Sequence, residues 1–152
     1  MRGDGLAPRD ERAMKVSTRG DYASRALLSL ALHGEERPTS VKEIAERTGL
    51  PQPYLEQILL AVKGAGLVRS KRGVGGGYVL ARSPVEITLA DIVAAVEGPA
   101  PTLAEAHDHC EGHCVLQEVW VELDDETRTV LSRYTLADLV KRTLVGHPRR
   151  GG

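Results

Sequence analysis

Eight residues, His107-Asp108-His109-Cys110-Glu111-Gly112-His113-Cys114, hold both cysteines of the chain and three of its five histidines. Thiolate sulfur and imidazole nitrogen together suit zinc, copper(I) or an iron-sulfur cluster. No run of about 18 apolar residues and no signal peptide is visible, so a cytoplasmic protein is expected. In that compartment a pair of cysteines is more often metal-binding or redox-active than a structural disulfide. The C-x3-C spacing is less specific than C-x2-C and leaves the metal open. An apolar helical stretch begins at Cys114, and the positive end of such a helix favours a thiolate.

The elements that must position this cluster begin far upstream. Ser40 and Glu43 form a capping box, in which the hydroxyl takes an orphan amide of the first turn while the carboxylate reaches back. Val41, Ile44 and Ala45 follow at helical spacing, and Gly49 stands where a left-handed residue ends a helix. Pro51 is tolerated in the first turn of a second helix, whose buried face continues through Leu55, Ile58, Leu59 and Val62. Gln52, Pro53, Glu56 and Gln57 then point outward near its amino end, the end that a recognition helix pushes into a major groove.

Beyond Gly64-Ala-Gly66, the runs Leu67-Val68-Arg69 and Tyr78-Val79-Leu80 favour strands. They are joined by Lys71-Arg72-Gly-Val-Gly-Gly-Gly77, a basic turn whose glycines permit close backbone approach to a neighbour. Helix, turn, helix and basic hairpin in that order make a winged helix-turn-helix that reads DNA, the wing suiting phosphates or a minor groove. The candidate DNA-facing set is Thr18, Arg19, Tyr22, Ser40, Gln52, Pro53, Tyr54, Glu56, Gln57, Arg69, Lys71 and Arg72. Thr18, Arg19 and Tyr22 lie near the start of an earlier helix, Thr18 to His33, where they meet phosphate or serve as cap and packing.

Net charge is -1 over 152 residues, yet it is unevenly spread. Residues 14 to 82 hold 11 Lys+Arg against 6 Asp+Glu, whereas residues 83 to 138 hold 2 against 12. The charge that phosphates attract is confined to the helix-turn-helix, and the acidic half is left for subunit contact and sensing. Thr88-Leu-Ala-Asp91 opens a helix running to about Glu97, and Thr135-Leu-Ala-Asp138 repeats the same local capping pattern. Between them Val115, Leu116, Val119, Trp120, Leu123, Val130, Leu131 and Tyr134 form an apolar stripe longer than a small domain's own core needs. Such a stripe invites a two-fold partner, which also supplies the second half-site that a lone recognition helix lacks.

The segments Met14 to Tyr22, Tyr54-Leu-Glu-Gln57, Gly66-Leu-Val68, Arg72-Gly-Val-Gly-Gly-Gly-Tyr78, Thr88-Leu-Ala-Asp91 and Cys114-Val-Leu-Gln-Glu-Val-Trp120 together resemble the IscR and NsrR family of winged-helix regulators. The resemblance implies a homodimer that binds operators and senses iron-sulfur status, nitric oxide or redox state through a cluster held before the dimer helix. Family members usually supply three cysteines; here Cys114 and Cys110 match the last two and the first is missing. Some relatives complete the cluster with an acidic residue from the opposite subunit, and Asp21 occupies that position. His107, His109 and His113 compete for the fourth place, while Gln117 stands where one branch has a ligand histidine. The site so implied is [2Fe-2S]-type, built from Cys110, Cys114, one histidine with His107 first, and Asp21 in trans. A zinc site or a metal-free thiol switch on the same fold is the alternative.

The expected fold is mainly α with a small β-hairpin wing, a winged helix-turn-helix domain plus a long dimerisation helix. The expected divisions are a disordered leader over 1–13, the DNA-binding domain over 14–98, a sensor loop over 99–114, the dimerisation and C-terminal helices over 115–146, and a flexible tail over 147–152. The function expected is that of a transcriptional regulator, a repressor, with double-stranded DNA and a second copy of the chain as partners. An enzyme fits poorly, because the chain offers no second acidic or oxyanion element at a recognisable spacing, and Gly73-Val-Gly75-Gly-Gly leads into a strand rather than a phosphate-binding helix. A protein-only adaptor is disfavoured by the local positive charge.

Overall fold

The computed structural model describes residues 17–33, 37–97 and 111–146. The leader, the tail, and His107, His109 and Cys110 of the sensor loop lie outside them. In chain order the elements are α1 (Thr18–His33), α2 (Val41–Thr48), α3 (Gln52–Gly64), β1 (Val68–Lys71), β2 (Gly77–Leu80), a 3-10 turn (Pro84–Glu86), α4 (Leu89–Glu97), α5 (His113–Leu131) and α6 (Leu136–Val145).

The first of these helices is the hub: α1 meets α2, α3, α4 and α6. Small residues allow this, since Gly20, Ala23, Ala26 and Ser29 are buried beside Leu27 and Leu30. Ile44 from α2, Leu55, Ile58, Leu59 and Val62 from α3, Leu67, Val68 and Ile87, and Ile92 and Leu136 complete one contiguous core. Leu, Ile and Val side chains dominate it, so burial of aliphatic surface drives this packing.

Local signals set most boundaries. The Ser40 hydroxyl accepts the Glu43 amide and the Glu43 carboxylate accepts the Ser40 amide, a closed capping box; Gly49 ends α2 at φ 77°. Pro51 stands one step earlier than the first turn expected for it, as the N-cap residue of α3, and Pro53 occupies the turn itself. Either position spares an amide that would have gone unpaired.

The hairpin pairs Val68 with Leu80 through Lys71 with Gly77, antiparallel. Leu67 is not part of its strand; it is a buried turn residue whose amide donates to Val62 O. The wing does not stand free. Thr39 and Tyr78 exchange backbone hydrogen bonds of 2.9 and 2.8 Å, tying β2 to the residue before the α2 cap. Gly77 makes this possible, because a Cβ there would run into the Thr39 backbone.

A second pairing joins the two repeated caps. Thr88 and Thr135 form an antiparallel bridge in which the Leu89 amide donates to Tyr134 O and the Leu136 amide to Ile87 O, each at 2.9 Å. The echo between Thr88-Leu-Ala-Asp91 and Thr135-Leu-Ala-Asp138 is therefore a spatial contact as well as a shared local cap. Tyr134 leaves the stripe assigned to it: α5 stops at Leu131, and the Tyr134 ring lies in the bend beneath the Arg142 guanidinium, 5.4 Å away.

Candidate functional site

Two surfaces carry chemistry. On the first, α3 presents Gln52, Pro53, Glu56 and Gln57, all exposed, while Leu55, Ile58, Leu59 and Val62 are buried on the opposite face. The 3.6-residue period alone produces this division, and it leaves amide and carboxylate groups free to meet base edges. Tyr54 is half-buried and edge-on to Tyr22, with centroids 5.3 Å apart and planes at 78°. Tyr22 therefore buttresses the start of α3, and Arg25 covers its ring at 5.8 Å. On β1, Arg69 and Lys71 are exposed, as is Arg72 at the turn.

Of the remaining candidates at the start of α1, Arg19 is tied inward. Arg19 donates from Nε to Val96 O at 3.2 Å, capping a terminal carbonyl of α4. The Ser17 amide donates to the Glu97 carboxylate at 3.0 Å, and the Ser17 hydroxyl binds the same oxygen. Thr18 is exposed. Ser40 spends its hydroxyl on the α2 cap, with Glu43 held below the usual carboxylate range by the Ser40 amide and then by Arg37. The clasp between Ser17, Arg19 and the end of α4 joins residues some 80 apart, so no local pattern announces it.

The second surface is the start of α5. His113 and Cys114 belong to its first turn, which begins after the left-handed Gly112, so the sensor loop ends two residues earlier than its expected limit. Cys114 is disulfide-bonded. The thiolate expected at the positive end of this helix is therefore not present in this state. Gln117, one turn further on, buries its Oε1 without a hydrogen-bond partner. Asp21 is exposed, paired with Arg25 at 2.9 Å, and lines a groove of about 310 Å³ with Leu28, Val93, Leu131 and Leu139.

Among the described residues no group of three or more His, Cys, Asp or Glu side chains is placed to hold a metal ion. A cluster of the kind the resemblance implies needs thiolates, and a disulfide-bonded Cys114 offers none, so in this state the donor set does not fit an iron-sulfur group. The long helix behind it is almost bare: no residue of α5 is buried, and Val115, Leu116, Val119 and Trp120 are 47 to 63% exposed. Among the described residues no helix is long and apolar enough to cross a membrane.

Three helices over an antiparallel hairpin, with a polar recognition face and cations along the wing, define a winged helix-turn-helix regulator. Residues 16–142 match the family model described as Rrf2, iron-dependent transcriptional regulator, and the chain belongs to that family. The HTH-type transcriptional regulator CymR of Bacillus subtilis is 39% identical over 130 residues, 86% of this chain and 92% of its own. The structure of T. potens IscR superposes with a TM-score of 0.70 at 39% identity, covering 93% of this chain and 95% of that one. Staphylococcus aureus CymR in its oxidized form follows at 0.65 and 35%, covering 85% and 98%. The role is regulatory rather than enzymatic.

Proposed function

We propose that this protein is a homodimeric, DNA-binding repressor, acting in the cytoplasm, whose operator affinity is set by the oxidation state of Cys110 and Cys114. The observation that carries the sensing part is the disulfide at Cys114, on the first turn of the helix that would form the dimer seam. Likeness to an oxidized CymR supports it. Reduction would split the S–S bond into two thiols with uptake of two electrons and two protons, freeing the loop at its junction with α5.

Dimerisation is supported by the bare apolar stripe of α5, about 28 Å long at 1.5 Å per residue. Two-fold pairing would bury it and set two α3 helices at half-site spacing, with Gln52, Glu56 and Gln57 reading base edges and Arg69, Lys71 and Arg72 holding phosphates. Residues 14–98 are assigned as the DNA-binding unit.

The second reading keeps a [2Fe-2S]-type cluster on reduced Cys110 and Cys114, with His107 and Asp21 of the opposite subunit. Its support is the family's iron-dependent description and the exposed carboxylate of Asp21. One experiment separates the two. Protein purified without oxygen is given iron and sulfide, and its visible spectrum is recorded with and without Cys114→Ala. No thiolate-to-iron bands, together with operator affinity that follows a thiol redox titration, establishes the switch; bands lost in the variant establish the cluster.

A further inference from the structure

The crest of the wing is formed by Gly73-Val74-Gly75-Gly76. The Gly76 amide donates to Gly73 O at 2.9 Å, and Gly75 is left-handed at φ 77°, the pattern of a type II turn. Val74 is thus the only side chain from Gly73 to Gly77, and it is 109% exposed. A branched aliphatic residue held wholly in water at the tip of a cationic hairpin serves nothing inside the fold. Its mount is rigid as well. A Cβ on Gly76 would run into Lys71 O, and Gly77 lies against Thr39, so the crest is braced by its own base and by the start of α2.

We propose that Val74 is the wing's apolar wedge and enters the minor groove of the operator beside the half-site that α3 reads. Arg72 and Lys71, one and two residues before the turn and exposed, would hold the flanking phosphates and fix its depth. The groove's walls are deoxyribose, which a valine contacts with two methyl groups, and its floor is clear of obstruction except where the guanine N2 amine projects. Val74 therefore adds affinity where the wing lies over A·T pairs, a specificity read through groove shape rather than base hydrogen bonds. The proposal rests on the DNA-binding assignment of the wing.

Operators would be selected from a random 30-base-pair duplex library with the full-length protein, and affinities measured over a salt series. Val74→Ala should weaken binding by about tenfold or more, from the loss of two buried carbons at each of the two half-sites. Its salt dependence should stay that of the unaltered protein, whereas Arg72→Ala, which removes one phosphate contact from each half-site, should lower the slope by about two. Val74→Thr, equal in shape, should also weaken binding, and Val74→Ile should not. Placing G·C for A·T under the wing should cost affinity that inosine, lacking the N2 amine, restores. Since Val74 is wholly exposed, these variants should fold as the unaltered protein does. Unchanged affinity in Val74→Ala, or full affinity in Val74→Thr, overturns the wedge. If the unaltered protein selects no duplex, the DNA-binding assignment fails, and the wedge with it.

Discussion

Glu43 shows how much one carboxylate does when its spacing is right. Three residues after Ser40 it closes the α2 cap, and it also meets Arg37 at 3.2 Å and Arg47 at 3.8 Å. Its pKa lies below the ordinary 4.5, chiefly because the Ser40 amide donates to the charged form, with Arg37 next. A depressed carboxylate stabilises the fold above its unfolded value and loses that contribution as pH falls through the lower folded value. Glu43→Gln should therefore lower the melting temperature at pH 7 and flatten the loss of stability below about pH 4.5; thermal denaturation across pH reads both. Asp138, held down by the Thr135 amide in the α6 cap, should behave in the same sense below 3.8. At the other end of legibility stand Ser17 and Arg19. A capping box is written within four residues, but the partners of Ser17 and Arg19 lie at Glu97 and Val96, so the sequence left Arg19 open between phosphate contact and packing. Glu97→Ala should speed amide exchange in the first turn of α1, measured by hydrogen-deuterium exchange, while exchange in α3 stays slow.

Helices were readable as elements because each carries its own period and its own stops. Ser40 and Gly49 bound α2, Thr135 opens α6, and the buried face of α3 repeats at three and four residues. The wing was readable as a hairpin, but its docking was not: the pairing of Tyr78 with Thr39 depends on β2 meeting a segment nearly forty residues earlier. The glycine run then acquires a sharper meaning. Gly77 serves contact with the chain's own Thr39, and under the proposal above DNA contact falls to Val74 and the cations. Gly77→Ala should destabilise the protein by about 1–3 kcal/mol through overpacking at that approach, measured by urea unfolding. Operator affinity should fall in the same variant, because the crest loses its brace.

Across the whole molecule, burial and charge divide the labour. The core is gathered around α1, the cations Arg69, Lys71 and Arg72 lie exposed along the wing, and α5 keeps its apolar stripe uncovered. Replacing Leu116 and Trp120 together by Glu should turn a dimer into a folded monomer in sedimentation velocity, with operator binding weakened well beyond tenfold as the second half-site is lost. If the doubly substituted protein stays dimeric, the seam is elsewhere. Cys114→Ser should bind operator equally under oxidising and reducing conditions, whereas the unaltered protein should differ between them by gel shift. By itself the chain of residues determined the helices, their caps, the reading face of α3 and the cationic wing, since all of these arise from periodicity, spacing and side-chain chemistry within about a dozen positions. The clasp of Ser17 and Arg19 on the end of α4, the seating of the wing on Thr39 and the pairing of Thr88 with Thr135 were decided only by tertiary structure. Each depends on which distant groups the burial of one common core brings within hydrogen-bond reach.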